Sequence, residues 1–79
     1  TGHAAQTGVS VYPNPARERV RIDSNNTPLE QWHLFDAQGK RIRSGGSATV
    51  DLAHLPAGVY WLEIRTAAGW QRERVLKVE

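Results

Sequence analysis

Apolar and polar residues alternate along most of this chain with the two-residue period of a half-buried β-strand. Val20 and Ile22 point one way, while Arg19, Arg21 and Asp23 point the other. Trp32 shares a face with Leu34, and Val50 with Leu52; Tyr60, Leu62 and Ile64 form the strongest inward stripe. Segments of this kind at roughly 9–12, 18–24, 30–36, 40–44, 48–52, 58–66 and 70–78 predict seven short strands. Turn signals separate them about every eight to twelve residues, as in a sandwich or barrel. They are Pro13-Asn14-Pro15, Asn25-Asn26-Thr27-Pro28, Ala37-Gln38-Gly39, Gly45-Gly46-Ser47, Pro56-Ala57-Gly58 and Ala67-Ala68-Gly69. No segment keeps a helical apolar period over three turns. One apolar and one polar face per strand predicts two antiparallel sheets packed face to face, an Ig-like β-sandwich.

Two hairpins look alike. Asp36 to Lys40 and Thr66 to Trp70 both fit a three-residue loop with Gly in the left-handed position. In the first, this register sets Leu34 opposite Ile42. In the second, it pairs Tyr60 with Leu76 and brings Arg72 and Arg74 beside the inward stripe. Either a bulge near Arg74-Val75 or arginines emerging at the sandwich edge reconciles the charge with the core.

Composition narrows the picture. At 79 residues with 39% hydrophobic positions and three Trp, the chain is long enough for one small core. It has no Cys, so neither disulfides nor a thiolate zinc site can support that core. Ten Lys and Arg against eight Asp and Glu, net +2, are too balanced to imply nucleic acid. No apolar run is long enough to insert in a membrane. The chain starts at Thr1 without Met, which reads as a piece of a longer protein. Thr1 to Gly8 reads as linker or as residues left by cloning, and the domain as residues 9–79.

Candidate chemistry is sparse. His3 lies in the linker, His33 on an outward strand face and His54 in a turn, with no ligand-pair spacing between them. Asp23, Asp36 and Asp51 fall near strand ends, where short carboxylates hold turns. There is no Gly-x-Ser-x-Gly, no P-loop and no thiol, so neither catalysis nor a cofactor is expected. The basic clusters Arg17-Glu18-Arg19, Lys40-Arg41-Ile42-Arg43 and Arg72-Glu73-Arg74 read first as solvated outer faces and protected edges. Trp61 falls on the face opposite Tyr60, Leu62 and Ile64. It is either a carbohydrate or partner contact, or is covered by an arginine stem.

Two segments bind turn chemistry to an aromatic strand residue. In Tyr12-Pro13-Asn14-Pro15 the prolines remove backbone donors and fix φ, ending the first strand at Tyr12. Asn14 is held extended by Pro15 and can bond nearby backbone groups. In Leu55-Pro56-Ala57-Gly58-Val59-Tyr60, Leu55 plugs the sandwich end and the Tyr60 hydroxyl reaches back to the turn, as in a tyrosine corner.

In company these segments resemble a known family. Tyr12 to Pro15 with Val20-x-Ile22, then Leu34 to Lys40, then Leu52, Leu55, Gly58, Val59, Tyr60 and Leu62, then Arg74 to Lys77, occur in the order of the type IX secretion system C-terminal sorting domain (Por secretion tail, type A). The resemblance spans Val9 to Val78. It implies a signal domain that targets a larger exported protein of a Gram-negative bacterium to an outer-membrane translocon. The periplasm is the route, and the cell surface or medium the destination. It further implies a sortase-like protease cutting within or before Thr1 to Gly8, with anchoring to an anionic lipopolysaccharide, or retention and docking to surface machinery. The residues it marks for recognition are Tyr12, Pro13, Asn14, Pro15, Gly58, Val59, Tyr60 and Lys77. Exposed sandwich edges also allow a homodimer or strand addition by a partner. The competing reading is a fibronectin-III-like spacer or carbohydrate-binding accessory domain of a secreted hydrolase, for which Trp61 would be the contact.

Overall fold

The structure, a computed structural model, describes residues 9–24 and 27–79. The expected linker Thr1 to Gly8, His3 and the Asn25-Asn26 half of one turn lie outside the described residues. Seven strands follow in chain order: β1 (Ser10–Tyr12), β2 (Arg19–Asp23), β3 (Leu29–Phe35), β4 (Arg41–Gly45), β5 (Thr49–Asp51), β6 (Gly58–Thr66) and β7 (Gly69–Lys77). Their bounds fall within a residue or two of those expected from the alternation, and the described residues contain no helix.

A three-stranded sheet, β1-β2-β5, faces a four-stranded sheet, β4-β3-β6-β7, and every ladder within them is antiparallel. This is an Ig-like arrangement whose fourth strand lies beside the third rather than beside the fifth. Val20, Ile22, Val50 and Leu52 line the inner side of the smaller sheet, and Trp32, Leu34, Tyr60, Leu62, Ile64 and Val75 that of the larger. Each inward residue inferred from alternation is buried, and the exposed Arg19, Arg21 and Asp23 flank Val20 and Ile22 as expected. Leu55 is partly buried and packs against this core. Trp32 donates its indole N–H to the Ser47 carbonyl (2.8 Å), so its one polar atom is satisfied. Its ring lies across Gly45, where a Cβ would come within 2.8 Å of Cζ2; the cross-strand neighbour of Trp32 must therefore be glycine.

Both hairpin registers differ from expectation. The first loop does close with Asp36 N–H on the Lys40 carbonyl (2.9 Å) and Gly39 at φ 90°. Asp36 Oδ1 accepts from the N–H groups of Gln38 and Lys40 and stiffens the turn. Between Leu34 and Phe35, however, the ladder shifts by one residue. Leu34 therefore faces Arg43 rather than Ile42, which still packs on the core. A bulge lets Phe35 keep the turn register while Trp32 reaches Gly45.

The second loop is two residues long, with Thr66 paired to Gly69. That one-residue change pairs Tyr60 with Val75, not Leu76, and turns Arg72 and Arg74 to the outer face without a bulge at Arg74-Val75. Gln71 and Glu73 take the inner side and are half-buried. The nine-residue β7 outruns the three- and five-residue strands of the opposite sheet, so water can reach them there.

Candidate functional site

The C-terminal half of β7 is held from both flanks. On one side β6 pairs with it continuously, from Thr66↔Gly69 to Gly58↔Lys77. On the other side no strand runs alongside among the described residues, and an open edge of this kind invites pairing with foreign chains. The Pro-Asn-Pro segment covers it.

Both proline peptide bonds, Tyr12–Pro13 and Asn14–Pro15, are cis. The Asn14 side chain donates through Nδ2 to the Arg74 carbonyl (2.7 Å) and accepts at Oδ1 from the Leu76 N–H (3.0 Å). Its amide thus does what the backbone of a neighbouring strand would do, and a primary amide is suited to this because it carries both donor and acceptor. One step on, the Ala16 N–H donates to the Leu76 carbonyl (2.8 Å) and the Val78 N–H donates to the Ala16 carbonyl (2.8 Å). Ala16 and Lys77 form a parallel bridge. The free edge from Arg74 of β7 to Val78 just beyond it is closed by a strap of three residues. The Ala16 methyl is fully buried in the core beneath it.

The reach of Asn14 corrects the expectation of a local bond: its partners lie 60 and 62 residues away. The prolines flanking it donate nothing, so the strap presents Asn14 and Ala16 to β7. Tyr12 ends β1 opposite Arg21 and is 48% exposed.

The second motif forms the opposite flank. The Tyr60 hydroxyl donates to the Pro56 carbonyl, the tyrosine-corner bond expected from the sequence. Gly58, at φ 152°, opens β6 in a conformation that side chains avoid and pairs with Lys77. Gly58, Val59 and Tyr60 share a depression of about 230 Å³ with Asp36, Ala37 and Gln38 of the first hairpin. Lys77 is the meeting point, with Gly58 on one side and Ala16 on the other. Its side chain is largely buried, with Nζ 3.5 Å from the Val78 carbonyl, so it contributes its backbone and stem to the site more than an exposed charge.

Trp61 lies apart from this assembly, on the outer face of the larger sheet. It is half-buried, with the Arg72 guanidinium 5.6 Å from its ring centroid and Arg72 paired to Glu63 at 3.3 Å. It is thus covered by an arginine, one of the two readings its position allowed. Farther along the same face, Trp70 stacks on His33 (5.5 Å) under Arg65, which pairs with Glu30 at 3.1 Å. Trp70 is 51% exposed and was not singled out by the sequence; the two-residue loop that turns it outward was the missing information. His54 is exposed in its turn, and among the described residues no three His, Asp or Glu side chains gather as metal ligands.

The class defined here is a seven-stranded Ig-like domain whose distinctive motifs meet on its last strand. The family profile described as the secretion system C-terminal sorting domain matches residues 10–78, and the chain belongs to that family. The domain is a type IX secretion sorting signal: it engages the type IX secretion machinery and directs export to the cell surface or the medium. No curated protein matches the chain closely.

Proposed function

We propose that the surface read during sorting is the clamped end of β7 with the residue after it, Arg74 to Val78, together with its two flanks, Asn14–Ala16 and Gly58–Tyr60. The observation that supports this is the convergence at Lys77. Three separate stretches of the family pattern, Tyr12–Pro15 through Asn14, Gly58–Tyr60 and Arg74–Lys77, end up within one hydrogen-bonded shell, and Asp36–Gln38 of a fourth borders it across a shared depression. The reader is an outer-membrane translocon met after transit through the periplasm. A sortase-like protease then cuts within or before Thr1 to Gly8, or the domain is retained and docks to other surface machinery. The domain itself does no chemistry: its prolines, Asn14 and Tyr60 shape the signal by fixing backbone.

A secreted reporter fused ahead of residues 9–79 in a type IX-competent host tests this. Deleting residues 58–79 leaves the reporter in the periplasm, and Asn14→Ala lowers export while the reporter's own activity is unchanged. Undiminished export of the deletion overturns the reading. No observation favours the spacer or carbohydrate-binding alternative, because Trp61 is occupied by Arg72.

A further inference from the structure

Both outer faces of the sandwich are rich in arginine, and two arginines of the larger sheet are neutralised in a way that those of the smaller sheet are not. On the four-stranded face, Arg65 and Arg72 each lie over a tryptophan and each meet a glutamate. On the three-stranded face, Arg17, Arg19 and Arg21 are exposed, and among the described residues none of them has an ion-pair partner. Asp51, the ladder neighbour of Arg19, instead accepts from the Ala53 N–H (3.0 Å).

These three arginines line one groove of about 650 Å³, walled by Pro13 and Pro15 and reaching Thr49 of β5. Glu18 is the one acid in its lining. The strap therefore has two working sides. Asn14 turns to the last strand, while the prolines on either side of it line the groove.

We propose that this groove docks an extended acidic segment of a partner protein, with carboxylates at alternate positions. Guanidinium forks match carboxylates in shape and charge, and unpaired ones on one concave face attract anions from a distance. Arg19 and Arg21 are two apart on β2 and share its outer face, so their Cα atoms are separated by about 6.6 Å along the strand. Carboxylates two apart on an extended chain repeat at the same spacing. The proline rings give that chain an apolar wall without competing donors. The groove binds in this way whether or not the domain is also read as a sorting signal.

Fluorescence anisotropy with a labelled octapeptide alternating Glu and Ala, titrated with the domain at low ionic strength, tests the proposal. The peptide binds, added salt weakens binding, and Arg19→Glu/Arg21→Glu weakens it roughly tenfold or more. Arg65→Glu/Arg72→Glu, on the opposite face, leaves affinity within about twofold. The milder Arg19→Gln/Arg21→Gln, checked by circular dichroism, separates loss of charge from loss of fold. Absence of peptide binding, binding indifferent to the Arg19 and Arg21 variants, or binding of phosphatidylglycerol vesicles without the peptide overturns the proposal. A domain that is exported normally yet ignores the peptide overturns the groove and leaves the sorting reading intact.

Discussion

The two flanks of β7 hold the same strand by different means. The β6 flank is a ladder of nine pairs backed by Tyr60, Leu62 and Ile64, all buried. The strap is three residues long, and half of its bonding comes from one exposed side-chain amide rather than from backbone. A ladder between long strands forms and breaks with the whole domain. A strap held by a few solvent-accessible hydrogen bonds and one methyl group can open by itself. The difference teaches that the last strand is anchored globally on one side and locally on the other. A change in the strap therefore alters the signal's edge without dissolving the fold.

Substitutions graded by expected effect can break or sharpen this contrast. Leu62→Ala leaves a cavity in the centre of the ladder's core and lowers unfolding free energy by about 3 kcal/mol, read by urea titration, with all regions lost together. Ala16→Leu forces added volume beneath the strap, where the alanine has no exposed surface, and costs about 2 kcal/mol in the same titration. Asn14→Ala removes both side-chain bonds to β7 and costs about 1 to 1.5 kcal/mol, because water can replace part of what is lost at an exposed edge. Tyr60→Phe deletes the bond to Pro56 alone and costs about 1 kcal/mol or less. Should Asn14→Ala prove as damaging as Leu62→Ala, the strap would be part of the global unit and the contrast would vanish.

How far the sequence foretold this depends on the range over which each feature is decided. Strand positions and faces were legible because alternation is local and the core takes every second residue. The tyrosine corner was legible because Tyr60 and Pro56 are four residues apart. The strap was legible only as a stiff exit from β1. Nothing near Asn14 says that its amide will meet residues 74 and 76, and Ala16 is too small to signal burial by itself. Hairpin registers failed for a subtler reason. Ala67-Ala68-Gly69 fits a two- or a three-residue loop equally well, and a one-residue change moves every side chain of β7 to the other face. The bulge after Leu34 likewise answers to Trp32 and Gly45, which meet across the sheet.

The central claim is that Asn14 acts as strand backbone for the edge of β7. Amide hydrogen exchange measured residue by residue tests it most directly, comparing Leu76 with Leu62 in the native domain and in Asn14→Ala. In the native domain both amides are protected. In the variant, protection at Leu76 falls about tenfold relative to Leu62, which lies in the central strand β6 and reports global opening. Equal changes at the two positions, or a Leu76 amide that exchanges freely in the native domain, would contradict the claim.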